Sequence, residues 1–270
     1  MTLPLGAIAA PYSTILCDIW GVLHDGGRLF PGVVERLEEW KGDGKTIVLV
    51  TNAPRPASTI RAGLDALGLP RHCYDAITSS GEAGIAALVA PPRTVGFLGT
   101  NEDRRDLEAH GVRIGAAFDE VACTGLDERR DVAAEYAAQL SEWAARDVLF
   151  HCLNPDREVI HHGRREPCAG ALADLYEAMG GRVLWYGKPH APVYAHALAL
   201  AGNPRRQDVL AIGDGPVTDM LGAARAGIDA VYISDGLHNG APFPPEFAHV
   251  HGLGAWRPVG IVPNLGYEAG

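Results

Sequence analysis

Short apolar runs that end in polar residues recur along the chain, and they predict its sheet. The runs "STILCDIWG" (13–21), "KTIVLVTNAP" (45–54) and "QDVLAIGDG" (207–215) are rich in Ile, Val and Leu. Such continuous apolar runs are typical of strands buried on both faces of a parallel sheet. The segment "DAVYIS" (229–234) predicts a further strand.

Helical periodicity fills the segments between these runs. In residues 31–44 the positions Val34, Leu37 and Trp40 fall on one helical face, and glycines end the segment. Three more helices are predicted, over residues 55–69, 192–202 and 217–228. The alternation of strands and helices predicts an α/β fold with a doubly wound, Rossmann-like parallel sheet. Ligands of such sheets bind beyond the carboxyl ends of the strands.

The middle of the chain repeats this alternation and predicts a second, smaller α/β domain. It holds a strand at 93–99, a helix at 104–112, a long Ala-rich helix at 131–146 and a strand at 147–156. We expect a core formed by residues 1–81 and 186–270, with residues 82–185 inserted as a cap. The Pro- and Gly-rich tail predicts irregular structure with one short closing strand.

Charge and composition exclude several classes of function. The net charge is −10, which argues against a broad nucleic-acid-binding face. No apolar run approaches the roughly 20 residues of a membrane helix, and the N-terminus lacks a basic region of the kind that begins a signal peptide. The 5 cysteines show no CxxC spacing, which favours a reducing cytoplasm over a disulfide framework.

Two strand ends carry groups suited to a phosphoryl group. Asp18 ends the first apolar run, and Thr51-Asn52 ends the second. A hydroxyl and backbone N–H groups at a strand end can hold phosphoryl oxygens. Each feature also fits a plain helix or turn cap, so neither decides the function alone.

Two later clusters add a cation and a pair of carboxylates. Lys188 in "YGKP" is one of only three lysines in the chain, the others being Lys41 and Lys45. Asp214 and Asp219 lie in "IGDGPVTDM" at the third strand end. Two neighbouring acids repel each other unless a cation lies between them, and carboxylates suit Mg²⁺.

Taken in order, these motifs resemble those of the haloacid dehalogenase (HAD) superfamily. The order is Asp-x-x-Gly, then Thr-Asn, then Lys-Pro, then Gly-Asp-x-x-x-x-Asp. The large insertion between the second and third motifs, with "TSSGEA" (78–83) before it and "NPDREV" (154–159) inside it, resembles the NagD-like branch, class IIA. That branch contains phosphatases of sugar, nucleotide and aryl phosphates, and its caps often carry homodimer contacts.

The resemblance implies roles for individual residues. Asp18 would be the nucleophile that forms an aspartyl-phosphate. Thr51 and Asn52 would hydrogen-bond the transferring phosphoryl group, and Lys188 would neutralise its charge.

The resemblance also implies a cofactor and a substrate site. Mg²⁺ would be held by Asp18, Asp214 and Asp219 with the backbone carbonyl of Trp20. Asn154 and Asp156 in the cap would contact the substrate, a small phosphorylated metabolite.

Trp20 marks a departure from the family pattern. Phosphatases of the superfamily usually carry a second Asp there, which protonates the leaving oxygen and then activates water. An indole cannot do this near neutral pH. Three outcomes stay open: hydrolysis only of esters with good leaving groups, substitution by His24, Asp25 or Asp156, or binding of a phosphorylated ligand without turnover. A metal-independent dehalogenase is a further alternative that the acidic pair Asp214 and Asp219 disfavours.

Overall fold

A computed structural model describes residues 4–161, 164–236, 240 and 242–266. Cα packing divides the chain into two compact units. The first unit comprises Met1–Thr51, Ile60–Thr78 and Tyr194–Gly270, and the second comprises Asn52–Thr59 and Ser79–Val193. The expected domain limits at residues 82 and 185 stay a prediction.

The first unit is built on a six-stranded sheet in the order β13-β12-β11-β1-β2-β3. Every pairing described among β13, β12, β11, β1 and β2 is parallel. Its strands are β1 (Thr14–Asp18), β2 (Thr46–Thr51), β3 (Ala76–Ser79), β11 (Val209–Gly213), β12 (Asp229–Ile233) and β13 (Gly260–Val262). All five residues of β1 and of β11 are buried, which explains why both read as unbroken apolar runs. The predicted doubly wound parallel fold is confirmed.

Helices flank these strands, and all but the first and the last of them were predicted from the periodicity. They are α1 (Leu5–Ala9), α2 (Val33–Gly42), α3 (Ala57–Ala66), α8 (Ala191–Leu200), α9 (Leu221–Ala226) and α10 (Phe247–Val250). In α2 the buried apolar residues are Val33, Leu37 and Trp40, so the predicted face was wrong at Val34, which is only half-buried. Gly32 at the N-cap of this helix adopts a positive φ of 78°, a conformation that favours glycine.

The tail is more ordered than the sequence predicted. The expected closing strand is β13, which pairs in parallel with β12. The helix α10 was not predicted. It forms because Phe247 is buried and its ring contacts Phe243, at 4.9 Å between centroids, which in turn contacts Tyr232 at 5.3 Å. These aromatic contacts bury apolar surface and stabilise the helix. The Pro-rich composition of the segment gave no indication of them.

The second unit has its own five-stranded sheet, in the order β10-β7-β6-β4-β5, and all of its described pairings are parallel. Its strands are β4 (Thr94–Leu98), β5 (Arg113–Ile114), β6 (Glu120–Cys123), β7 (Leu149–Cys152) and β10 (Arg182–Trp185), with a separate antiparallel pair β8 (Glu158–His161) and β9 (Arg164–Pro167). Its helices are α4 (Ser80–Val89), α5 (Asn101–Ala109), α6 (Ala137–Ala145) and α7 (Ala169–Ala178). The predicted long helix over 131–146 is shorter than expected, since a 3₁₀ turn over Ala133–Tyr136 precedes α6.

Two of the three lysines have structural partners in the first unit. The ammonium of Lys45 is buried and donates to the carbonyl oxygens of Ala9 (3.0 Å) and Tyr12 (2.7 Å), where α1 ends. Lys41 forms an ion pair with Asp75 at 2.7 Å. These contacts give Lys41 and Lys45 structural roles, so neither lysine needs a catalytic function to explain its presence.

Candidate active site

Asp18 lies at the carboxyl end of β1, between two parallel neighbours. β1 pairs with β11 over Thr14–Cys17 and with β2 over Thr14–Asp18, so Asp18 itself lies opposite Val50 of β2. The carboxylate is only 7% exposed, and its Oδ1 accepts a hydrogen bond from the N–H of Ile19 at 2.7 Å. The strand thus holds a buried anion at the edge of the sheet.

Asp214 and Asp219 lie where β11 ends. Asp214 follows the strand directly, and Asp219 belongs to a π-helical turn, Pro216–Met220, that leads into α9. The Oδ2 of Asp219 accepts from the N–H of Gly215 and from the hydroxyl of Thr218, both at 3.1 Å. The sequence predicted a simple helix here, and π-helical turns of this kind occur often at functional sites.

Two glycines allow these carboxylates to approach the backbone. A Cβ on Gly213 would lie 2.2 Å from the Cγ of Asp219, and a Cβ on Gly236 would lie 2.3 Å from the Oδ2 of Asp214. Neither distance is compatible with a side chain at the glycine. Sequence reasoning missed both glycines, because Gly236 lies more than twenty positions from Asp214 and has no motif of its own.

The three carboxylates form one acidic cluster. Oxygen atoms of Asp18, Asp214 and Asp219 all lie within 4.8 Å of one another, and all three residues are buried. Buried like charges at this separation disfavour each other's ionised form unless a cation compensates. Several carboxylate oxygens without a nitrogen or sulfur ligand are the donor set that a hard cation such as Mg²⁺ prefers. The donor set therefore fits the expected magnesium ion.

Trp20 packs against the loop that follows β1. Its ring contacts the ring of His24 edge-on, with 5.3 Å between centroids, and a Cβ on Gly26 would lie 2.4 Å from the indole Cη2. Residue 26 must therefore be glycine for two reasons: a Cβ would clash with the indole, and its φ of +93° favours glycine. The indole thus occupies the space above Gly26 as part of the loop's packing.

The two nearby candidates for a substitute acid have other partners. The Nδ1 of His24 accepts from the N–H of Gly26 at 2.9 Å, which leaves the proton of a neutral ring on Nε2, and burial lowers the pKa of His24. The carboxylate of Asp25 accepts from the N–H groups of Gly27 and Arg28, and these bonds lower the pKa of Asp25. Both groups are therefore poor proton donors at neutral pH.

Thr51 and Asn52 belong to different units, although they are neighbours in the chain. Thr51 is the last residue of β2 and is buried in the first unit. In the second unit the Nδ2 of Asn52 donates to Asp156 Oδ1 (2.8 Å) and to the carbonyl of Lys188 (3.2 Å). Its Oδ1 accepts from the N–H of Lys188 at 2.7 Å. The amide of Asn52 therefore positions the Lys188 backbone and the Asp156 carboxylate.

Asn154 and Asp156 lie in the same network. The N–H of Asp156 donates to the Oδ1 of Asn154 at 3.2 Å. Lys188 itself is 3% exposed, and a Cβ on Gly187 would lie 2.6 Å from the Oδ1 of Asn52, so the turn before Lys188 needs a glycine. The structure thus gathers the predicted residues in two groups, one in each unit: the acidic cluster in the first, and Asn52, Asn154, Asp156 and Lys188 in the second.

Known proteins match this parallel α/β sheet, in which Asp18 and Asp214 lie at the ends of central strands and Asp219 lies in the turn that follows. A family model for haloacid dehalogenase-like hydrolases matches residues 15–113, and a second HAD-hydrolase-like model matches residues 185–263. Chronophin from Homo sapiens is 31% identical over 83% of this chain and 81% of its own length. The ribonucleotide monophosphatase NagD of Escherichia coli is 25% identical, over 87% of this chain and 94% of its own.

Solved structures agree with these relatives. A haloacid dehalogenase-like hydrolase from Brucella suis superposes with a TM-score of 0.83 at 31% identity, over 97% of this chain and 98% of that one. A glycerol phosphate phosphatase from Mycobacterium tuberculosis, solved in complex with magnesium, gives 0.72 at 26% identity, over 96% and 77%. This chain belongs to the haloacid dehalogenase-like hydrolase family. Within it, the chain is a class IIA, NagD-like hydrolase with Trp20 in place of the second Asp of the first motif.

Proposed function

We propose that the protein is a Mg²⁺-dependent phosphohydrolase that cleaves a small phosphate ester through an aspartyl-phosphate on Asp18. The observation that carries the proposal is the acidic cluster, whose buried carboxylate oxygens lie within 4.8 Å of one another. A phosphate dianion could not approach such a cluster without compensating positive charge. The relatives named as phosphatases support the same reaction.

Each residue of the proposed site has a distinct task. A carboxylate oxygen of Asp18 attacks phosphorus, the ester oxygen leaves, and water later hydrolyses the aspartyl-phosphate. Asp214 and Asp219, with Asp18 and the carbonyl of Trp20, would hold Mg²⁺, which supplies positive charge to the phosphoryl oxygens when bound. Thr51 would hydrogen-bond the phosphoryl group.

Lys188 takes its proposed task, charge neutralisation, from the family resemblance. Its backbone is held on both sides by Asn52, so we assign Asn52 to positioning Lys188 and Asp156. Asn154 and Asp156 would contact the substrate, as the resemblance implies.

Trp20 restricts the proposed reaction. General acid–base catalysis typically contributes about 10²- to 10⁴-fold, and the hydrogen bonds that His24 and Asp25 accept argue against either residue supplying it. Aryl and acyl phosphates, which lose a phenolate or a carboxylate of low basicity, depend least on this contribution. We therefore propose that such esters are hydrolysed faster than sugar phosphates of equal affinity.

The remaining features of the proposal follow from charge and cysteine content. The net charge of −10 favours a small metabolite over nucleic acid as the substrate. No helix in the described part of the chain is long and apolar enough to cross a membrane. All five cysteines are free and buried, which supports a cytoplasmic location. A homodimer is proposed from the family resemblance alone.

The test is phosphate release from p-nitrophenyl phosphate and ribose 5-phosphate, each with Mg²⁺ and with EDTA, by the wild type and Asp18→Asn. We expect Mg²⁺-dependent release that is faster for the aryl ester and absent in the variant. Release of both phosphates at similar rates would mean that a substitute acid exists, with Asp156 the first to mutate.

Trp20 also favours a second candidate, a protein that binds a phosphorylated ligand without turnover. Binding of either ester in the absence of release would establish it. Metal-independent release of halide from a 2-haloacid would instead establish a dehalogenase, and either result would overturn the phosphohydrolase.

A further inference from the structure

A second group of metal-ligating side chains lies in the first unit, apart from the acidic cluster. It consists of Glu38 in α2 with His72 and Cys73, which belong to a 3₁₀ turn, Arg71–Cys73, between α3 and β3. We call it the Glu–His–Cys cluster. Among the residues that the structure describes, it and the acidic cluster are the two places where three such ligands meet.

The topology places the Glu–His–Cys cluster at the edge of the sheet opposite to the acidic cluster. α2 connects the end of β1 to the start of β2, and Glu38 lies in the second half of this helix. The 3₁₀ turn precedes β3, and the N–H of Asp75 donates to the carbonyl of Ile47, near the start of β2, at 2.9 Å. A helix that connects two parallel strands returns the chain from their carboxyl ends to their amino ends. The cluster therefore lies at the amino edge, whereas Asp18 lies at the carboxyl edge.

The donor atoms of the cluster are close enough to bind one ion together. A ring nitrogen of His72, the sulfur of Cys73 and a carboxylate oxygen of Glu38 all lie within 4.8 Å of one another. The Nε2 of His72 is 2.7 Å from the Oε1 of Glu38. Around a tetrahedral Zn²⁺, neighbouring ligand atoms are separated by roughly 3.3–3.5 Å. An ion would thus replace the hydrogen bond between His72 and Glu38, whose side chains are both exposed and free to adjust.

The types of donor distinguish this cluster from the expected magnesium site. Imidazole nitrogen and thiolate sulfur are ligands of Zn²⁺ and of other late transition metals, whereas Mg²⁺ prefers oxygen ligands alone. An exposed pair of His72 and Glu38 would by itself be an ordinary surface contact of small energetic value. The sulfur of the buried Cys73 converts this pair into a set of three ligands of the kind that Zn²⁺ binds.

The charges of the cluster also suit a divalent cation. Burial and the Glu38 carboxylate both raise the pKa of Cys73, so the thiol keeps its proton when no metal is bound. A bound Zn²⁺ displaces that proton and forms a bond to the thiolate. The thiolate and the Glu38 carboxylate then balance the charge of the ion, and His72 binds as a neutral imidazole.

We propose that Glu38, His72 and Cys73 bind Zn²⁺, with water as the fourth ligand. The ion would join α2 to the turn before β3, two segments that are 34 positions apart in the chain. Because the cluster lies at the amino edge of the sheet, this ion does not contact the phosphoryl group. Its expected effect is to stabilise the first unit, and the inference does not depend on the proposed hydrolysis.

The experiment titrates the full chain with Co²⁺, in the presence of excess Mg²⁺ and of a reductant without sulfur. Co²⁺ bound to a thiolate gives a charge-transfer band in the near ultraviolet, which oxygen and nitrogen ligands do not give. We expect the band to saturate at one Co²⁺ per chain. Addition of Zn²⁺, which has a filled d shell, should abolish the band because Zn²⁺ takes the same ligands. The same Zn²⁺ should raise the Tm of the protein.

Variants identify the ligands. Cys73→Ala should abolish the charge-transfer band, and His72→Ala and Glu38→Gln should each weaken Zn²⁺ binding at least about tenfold. The last two change exposed residues, so both variants should fold. His249→Ala and Glu35→Gln are matched controls, because these residues are exposed and lie outside the cluster, and they should bind Zn²⁺ like the wild type.

Two results would overturn the Zn²⁺ site. One is the absence of a charge-transfer band at Co²⁺ concentrations up to about 1 mM. The other is Zn²⁺ affinity that is unchanged in His72→Ala, which would place the ion elsewhere and decides the matter even if Cys73→Ala fails to fold. Neither result depends on turnover, so failure of this site and failure of the phosphohydrolase proposal are distinguishable.

Discussion

The two parallel sheets of this protein both bring polar side chains together where the strand order reverses. They differ in how the charges of those side chains are compensated. In each unit the strand order reverses once, between β1 and β11 in the first and between β4 and β6 in the second. At the first reversal three buried carboxylates lie within 4.8 Å of one another. At the second, Asp127 is paired with Arg130, and Asp103 has Arg55 at 3.4 Å.

The comparison distinguishes two contributions to a site: the backbone topology determines where residues lie, and the side chains determine what those residues bind. The topology alone brings strand-end residues to one edge of each sheet. The charge of those residues then determines what the edge can bind. An excess of buried negative charge needs a cation, whereas an edge whose carboxylates are paired with arginines does not.

The largest expected difference between the two edges concerns turnover. Asp18→Asn should lower kcat for p-nitrophenyl phosphate by about 10³-fold or more, because the nucleophile is lost. Asp127→Asn in the second unit should leave kcat within about threefold and instead lower the free energy of unfolding by about 1–3 kcal/mol, since Arg130 loses a partly buried partner. Steady-state kinetics and urea titration measure the two effects. Equal losses of kcat in Asp18→Asn and Asp127→Asn would contradict the assignment of turnover to the first sheet edge.

Crowding at the first edge gives the next effect. Gly213→Ala places a Cβ 2.2 Å from the Cγ of Asp219, so we expect Mg²⁺ affinity to fall at least about tenfold. Gly63→Ala is the matched control, because it lies in α3 with no atom within 4 Å of the new Cβ. That variant should be stabilised by about 0.5–1 kcal/mol. Isothermal titration with Mg²⁺ measures the affinity, and an unaffected Gly213→Ala would contradict the described contact.

Metal binding should also stabilise the fold. At a Mg²⁺ concentration one hundred times its Kd, binding contributes about 2.7 kcal/mol, which corresponds to a rise in Tm of roughly 5–10 °C for a chain of this size. Asp214→Asn should abolish the rise, while the exposed Asp65→Asn should retain it. Differential scanning calorimetry measures the shift. A rise that persists in Asp214→Asn would place the cation elsewhere.

The smallest effect is a pH dependence of the second sheet. His151 on β7 is fully buried between Tyr186 (2.8 Å) and Glu120 (2.7 Å), and burial lowers the pKa of His151 even though Glu120 opposes the shift. The unfolded chain therefore binds the proton more readily than the folded chain below about pH 6.5, so stability should fall as the pH falls through that range. His151→Gln should flatten this dependence of Tm, and the exposed His249→Gln should preserve it. A slope unchanged in His151→Gln would contradict the assignment.

Much of the fold could be predicted because buried parallel strands appear in the sequence as continuous apolar runs. β1, β2 and β11 are continuous apolar runs that end in Asp18, Thr51 and Asp214, and their convergence follows from the topology rule. Contacts between residues far apart in the chain have no comparable sequence pattern. Gly236 beside Asp214, and the aromatic contact that fixes α10 through Phe247, depend on tertiary packing that no local periodicity encodes.

The candidate site shows the same division. Residue types at strand ends indicated Asp18, Asp214 and Asp219 as a group. The sequence did not indicate that the Asn52 amide holds the backbone of Lys188, 136 positions away. It raised His24 as a substitute acid, whereas the hydrogen bond from the Gly26 N–H occupies its Nδ1. Spacing places residues at the same edge, but hydrogen-bond partners decide what each side chain is able to do.

The measurement that tests the account most directly is the leaving-group dependence of kcat/KM for a series of aryl phosphates, in the wild type and in Trp20→Asp. Without a general acid, the wild-type rate should fall steeply as the pKa of the leaving phenol rises. Trp20→Asp should restore a proton donor and flatten that slope, with the largest gain, about 10²-fold or more, for the poorest leaving group. A flat slope in the wild type would contradict the account, because it would show that the enzyme already protonates the leaving oxygen without a carboxylate at residue 20.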